Sequence, residues 1–427
     1  MKEIRQKLLY TLAMMVVIRI GSQLPAPGID RTYFSNWFAA QTGDTFSFVD
    51  AFTGGSFLNM SVLALNITPY ITSSIIIQLL TIAIPKLEEM QKEGEEGRKL
   101  LVSITRYVTV ALALMESAAM AIGFGRQGLL ENYNAINIIM VICILTAGSA
   151  FLMWVGEQIT EKGVGNGISI VLAINIISRM PQDIASLFSQ FVIGKTIAIG
   201  AVAAVIIIAI IVLMVVMVII LNDAERRIPV QYAQKIQGRR LVGGANSVIP
   251  LKVNTAGVMP IIFASSLMEF PVIISTLAGY KGTGIWSEVL RYLSSSYWCN
   301  PGQIKYTLGL VVYVALLIFF AYFYTSITFN PLEIADNLKK RGGFIPGIRP
   351  GKPTSDYLNR ILNYIIFIGA VGLTIVGILP FFFRGVFNAS VSFGGTSLII
   401  VVSVVLETIK QVESMMMVRN YKGFLND

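Results

Sequence analysis

Histidine is missing from all 427 residues of this chain, and cysteine occurs only twice. Without histidine no histidine-based triad, no zinc site of the two-histidine helical kind and no haem ligand can be built from the chain alone. Cys143 sits in an apolar run and Cys299 in a loop, with no ligand or disulfide pattern between them. Neither the P-loop nor the dinucleotide-binding glycine motif is present, and Gly163, Gly165 and Gly167, between two apolar runs, read as a tight turn. Charge is also scarce: 13% of residues are charged, against roughly 25% in soluble domains. With 55% hydrophobic residues, these shortages leave a polytopic membrane protein. It is expected to be no enzyme and to need no cofactor and no metal.

What is abundant is apolar sequence. Runs at about 8–24, 57–84, 101–122, 135–155, 167–180, 197–221, 255–277, 306–328, 361–380 and 390–409 predict ten membrane segments. The first carries Arg19 and is followed by a Pro-Ala-Pro-Gly turn instead of a small-residue cleavage site, so it reads as a retained span. Most of the 33 Lys and Arg fall in loops on one side, which places both termini in the cytoplasm. Topology thus accounts for the net charge of +9.

The second run is built wrongly for a simple span. A continuous helix from Phe57 to Ile84 would be about 42 Å long at ~1.5 Å per residue, against a hydrocarbon core of about 30 Å. Pro69 lacks an amide proton, and Asn59, Asn66, Thr68, Thr72, Ser73, Ser74 and Gln78 scatter polar groups that only protein or a water-filled cavity satisfies at membrane depth. The pattern predicts a half-helix from Phe57 to about Leu65, a break at Asn66–Pro69 and a second helix from Tyr70 to Ile84. The fifth run is short and carries Asn175, so it borrows its flanks or lies beside an aqueous space. Five runs fall on either side of the connection at 181–196. The mixed-charge stretch from Lys86 to Lys99 reads as a solvated connector.

Two basic loops exceed what a turn needs. In 222–254, alternation at Ile228, Val230 and Tyr232 and the later Val248, Ile249 and Leu251 predict two strands around a turn at Gly238, with Arg239 and Arg240 at its tip. In 329–360, Asn330, Pro331 and Glu333 form a helix start, and Lys339, Lys340 and Arg341 before Gly342 form its stop. Pro346, Pro350 and Pro353 then stiffen the chain around Arg349, a design for contact with a large partner.

Five stretches carry a resemblance: SVLALNITPYITSSIIIQLL, MWVGEQITEKGVGNGISI, KVNTAGVMPIIFASS, FNPLEIADNLKKRGGFIPGIRPG and FGGTSLIIVVSVVLETIKQVE. In this order, and over nearly the whole length, the chain resembles the SecY family of bacterial protein-conducting channels. The resemblance implies an all-α fold of ten transmembrane helices in two pseudo-symmetric halves of five around an hourglass pore, closed by a half-helix plug. The halves are 1–180 and 197–427, hinged at 181–196. The implied plug is Gly55, Ser56, Phe57, Leu58, Asn59, Met60, Ser61, Val62, Leu63, Ala64 and Leu65. The implied pore ring is Ile67, Ile71, Leu172, Ile262 and Ile400, the lateral gate Gln78, Thr105 and Asn254, and the docking tips Arg239, Arg240 and Arg349. Asn66 departs from the family, which usually has glycine there. Expected partners are SecE, SecG, the motor ATPase SecA, the ribosome, signal sequences, nascent preproteins and membrane lipids, in the plasma membrane of a bacterium. A secondary transporter with Glu116 or Glu269 as coupling carboxylate is the competing class.

Overall fold

A computed structural model describes residues 2–29, 33–34, 53–126, 128, 130, 133–193, 197–232, 235–237, 240–242, 247–277, 284–387 and 395–423. Each of the ten apolar runs contains a helix: α1 Lys2–Gln23, α2 Thr68–Ala83, α4 Glu95–Arg126, α5 Ala135–Lys162, α6 Gly167–Phe191, α7 Ile197–Asp223, α8 Met259–Leu277, α10 Leu308–Thr328, α12 Lys352–Phe387 and α13 Gly395–Gly423. Short helices α3 Pro85–Lys92, α9 Ile285–Leu293 and α11 Pro331–Lys340 join them. Among the described residues, six helices are long and apolar enough to cross a membrane, and α2 with α3 makes a seventh, bent by 107°. The connector expected after Ile84 therefore begins as a helix turned sharply away from α2. Helix α6 runs through Pro181 to Phe191, so much of the 181–196 connection is helical. Its length answers the shortness of the fifth run.

The chain divides into two compact units. The first comprises 1–187, 271–290 and 404–427, the second 188–270 and 291–403. In the first, α4 packs along α2 and α5, and α1 against α5. Polar groups are satisfied at these contacts, as apolar surroundings demand: Ser73 and Thr109 share a hydrogen bond between α2 and α4, and Ser117 and Thr146 between α4 and α5. Arg106, a cation within the third run, lies 2.7 Å from Glu157 of α5. The glycine turn between α5 and α6 is held by Thr11, whose hydroxyl accepts from the Val164 amide, and by Gln411, whose side chain accepts from the Gly165 amide.

In the second unit both long loops fold. Strand β1 (Glu225–Tyr232) pairs antiparallel with β4 (Ser247–Lys252), placing Ile228 opposite Ile249, and between them β2 (Lys235–Gln237) pairs with β3 (Arg240–Val242). The strands expected on either side of Gly238 are thus present, while Gly238 itself lies outside the described residues. The sequence did not show that β5 (Gly343–Phe344), from the other loop, joins the far edge of β1 through Gln231 opposite Phe344 and Tyr232 opposite Gly343. Ile228, Val230 and Leu251 face inward onto Leu338, Ile345, Leu358 and Ile361, the alternation that buries one face of a strand. At the start of α11 the Asn330 side chain accepts from the amides of Leu332 and Glu333, and Gly342 ends the helix at φ +68°. Asn330→Ala is expected to cost about 1 kcal/mol, read as faster amide hydrogen exchange confined to residues 331–340.

Candidate functional site

The half-helix expected over Phe57–Leu65 is corrected by the structure. Residues 54–67 form a succession of turns and a bridge, and regular helix begins only at Thr68, with Pro69 in its first turn. The cause is backbone geometry: Gly54, Gly55, Met60 and Asn66 all have positive φ, at +64°, +84°, +40° and +53°, and a right-handed helix admits none of these. Short-range bonds replace the helical ladder. The Asn59 amide donates to Gly55, Met60 to Phe57, Ser61 to Ser56, Ala64 to Ser61 and Asn66 to Leu63. Two further main-chain bonds stitch the segment to the chain after α1, from Ala26 to the Met60 carbonyl and from Val62 to the Leu24 carbonyl, each 2.9 Å.

Shape complementarity seats this segment in the first unit. Phe57, Met60, Ala64 and Leu65 are buried with Phe34, Ala113, Met120, Phe124 and Leu145. The rings of Phe34 and Phe124 meet edge to face, their centroids 5.2 Å apart. Gly148 of α5 admits it: a Cβ there would lie 2.0 Å from the Val62 carbonyl oxygen. At its start, a Cβ on Gly54 would lie 2.5 Å from the Asn175 carbonyl oxygen of α6, and Arg19 of α1 donates to the Gly54 carbonyl at 3.4 Å. At its end, Asn175 Nδ2 donates to Asn66 Oδ1 at 3.0 Å. Asn175, expected to need a flank or an aqueous neighbour, is bonded inside protein, and Arg19 acquires a partner that the sequence did not identify. Both were visible as polar residues in apolar runs.

Of the residues implied for a ring, Ile67 is fully buried and precedes α2, Ile71 lies one turn later with its amide on the Ile67 carbonyl, and Leu172 is buried on α6. In the second unit Ile262 is buried on α8 and Ile400 on α13. Gln78 is half-buried on α2, while Thr105 is buried on α4 and bonded to the Leu101 carbonyl of its own helix. Asn254 is buried in a polar chain, its amide donating to Asn222 Oδ1 and the Asn222 amide to Ser403 Oγ, each at 2.7 Å. Glu116, the competing carboxylate on α4, is half-buried, and Glu269 lies on α8, its side chain outside the described residues.

The basic tips differ in what is described. Arg239 lies outside the described residues, and Arg240 opens β3 opposite Gln237. Arg349 is exposed, in a turn whose backbone is fixed: its carbonyl accepts from the buried Thr354 hydroxyl at 2.8 Å, and the Ile348 amide donates to the Ile345 carbonyl. The guanidinium is thereby presented from a rigid base.

The SecY family profile matches residues 61–409. The chain is 40% identical to protein translocase subunit SecY of Corynebacterium glutamicum, covering 99% of this chain and 97% of that one. It is 43% identical to the subunit of the same name from Streptomyces galbus, over the same shares. Among solved structures, a protein-conducting channel matches with a TM-score of 0.61 at 18% identity, over 96% of this chain and 92% of that chain. Sec61 in a canine ribosome–channel complex matches with a TM-score of 0.63 at 18% identity, over the same shares.

Proposed function

This chain belongs to the SecY family, channel-forming subunits of protein translocases, and from that premise we propose how its parts divide the work of passing unfolded preproteins across a bacterial plasma membrane. The observation that carries the reading is the segment 54–67: apolar, buried and tied in by turns and two stitching bonds instead of a continuous helix. Such an element seals a passage at rest and leaves it without unwinding a transmembrane helix. We assign Gly55–Leu65 as the plug, and Ile67, Ile71, Leu172, Ile262 and Ile400 as a ring of apolar side chains that resists wetting and closes around an extended chain.

Signal sequences and transmembrane segments leave sideways into lipid past Gln78, Thr105 and Asn254. A polar contact between helices contributes about 0.6 kcal/mol on average in a membrane, weak enough for an apolar segment to part the seam. The sheet of β4, β1 and β5 with Arg239, Arg240 and Arg349 is the cytoplasmic platform for SecA or the translating ribosome, and both termini share its side of the membrane. The basic loops support that orientation, and the ribosome-bound canine relative of the same fold supports the ribosome as a partner. SecE and SecG complete the assembly. Bacterial relatives at full-length coverage support the plasma membrane as its location.

The test is a single cysteine at Ile71, with Cys143 and Cys299 replaced, cross-linked to a secretory chain stalled halfway through reconstituted vesicles. The expected product joins Ile71 to the chain and vanishes when the signal sequence is inactivated. No product from Ile71 or Ile400, with folded protein and active SecA, would replace the channel reading with a transporter and move attention to Glu116 and Glu269.

A further inference from the structure

The two ends of the segment assigned as plug meet on one residue. Gly54, at its start, abuts the backbone carbonyl of Asn175 so closely that no side chain fits between them. Asn66, at its end, accepts a hydrogen bond from the Asn175 side chain at 3.0 Å. Both asparagines are sealed from solvent, Asn66 at 0% exposure and Asn175 at 2%. Asn66 is also suited to its place by backbone geometry, since asparagine tolerates the left-handed conformation at φ +53° better than other residues with a side chain.

One further observation marks the pair. Asn175 Oδ1 is buried with no hydrogen-bond partner among the described residues. Buried polar atoms are nearly always paired, and an orphan carries the cost of its lost hydration. The same side chain therefore holds the segment through its amide nitrogen, while its oxygen has no partner among the described residues. A single hydrogen bond of this kind holds a closed state and is readily given up on opening.

We propose that Asn175 is the latch of the seal: it positions both ends of the segment 54–66, and breaking its hydrogen bond to Asn66 is a step in opening. The inference rests on the reading of Gly55–Leu65 as a plug and adds to it a specific release point. The Asn66 side chain bonds across to α6, a contact that a glycine at this position could not make. Asn175 is a positioning residue, with no contact to the translocating chain required.

The experiment measures resting ion conductance of the reconstituted translocase in planar bilayers for Asn175→Ala, Asn66→Gly and the two combined, with size-exclusion profiles and thermal unfolding as checks on folding. Asn66→Gly keeps the positive φ free of strain, so it serves as the variant least prone to misfold. Each single variant is expected to raise resting conductance about tenfold, the worth of one buried hydrogen bond. The double variant is expected to leak no more than either single variant, because both substitutions remove the same hydrogen bond. Unchanged conductance in both single variants, or strictly additive leaks in the double, would overturn the latch. Failure of the underlying reading is separable: if deleting Gly55–Leu65 leaves conductance unchanged, the plug itself is lost. If that deletion leaks while Asn175→Ala and Asn66→Gly do not, the latch alone is refuted. In the deletion background Asn175→Ala is expected to add nothing.

Discussion

Deleting Gly55–Leu65 is expected to raise resting ion conductance by about tenfold or more, measured on reconstituted channels in the absence of any substrate. The deletion removes Phe57, Met60, Ala64 and Leu65 from the core they share with Phe34, Phe124 and Leu145. What remains is a space lined by side chains that had been dry. An apolar constriction resists wetting only while it is narrow, so the closure passes to the ring alone. The chain is expected to tolerate the loss because the excised stretch starts and ends beside one residue, Asn175. Gly54 and Asn66 both lie against Asn175, and a short link spans the gap without pulling on α1 or α2. Translocation should therefore persist while the seal fails. An unchanged conductance would remove the plug assignment.

The second large effect concerns Arg349. Changing Arg349→Glu is expected to cut SecA-driven translocation sharply, with affinity for the motor reduced by about a hundredfold, the consequence of losing a charge contact worth roughly 2–3 kcal/mol. Folding should be untouched. The turn is held from below by the buried Ile345 and by the Thr354 hydroxyl on the Arg349 carbonyl, neither of which depends on the guanidinium, and an exposed substitution of this kind changes stability by about 0.5 kcal/mol at most. The two quantities to compare are ATP-dependent transport into vesicles and the thermal unfolding midpoint. Normal transport with an unchanged midpoint would refute the docking assignment.

How far the sequence could be read depends on the distance over which each cause acts. The ten helices were legible because each is announced by its own run of apolar residues, and the cap at Asn330 and the stop at Gly342 because they are decided within a few positions. The hairpin between β1 and β4 was legible for the same reason: alternation at Ile228, Val230 and Tyr232 is a local pattern. The conformation of segment 54–67 was not. Its apolar composition resembles a helix, and what prevents one is the set of positive φ angles at Gly54, Gly55, Met60 and Asn66 together with the close approach of α5 at Gly148. Met60 gives no warning in sequence, because a left-handed methionine is imposed by its surroundings. The partners of Arg19 and Asn175 were likewise invisible, since each lies far along the chain, although both residues stood out as polar groups that needed one. The pairing of β5 with β1 was hidden most completely: two residues carry no pattern of their own.

That short pairing sets an order of events during synthesis. Strand β1 is finished at Tyr232, but its outer neighbour arrives only with Gly343 and Phe344, after α8 and α10 have been made and threaded into the bilayer. Contacts between residues so far apart in sequence close late. A chain still emerging from its own ribosome thus carries a basic hairpin without its supporting edge, and the three-stranded sheet is completed only when most of the membrane helices have been made.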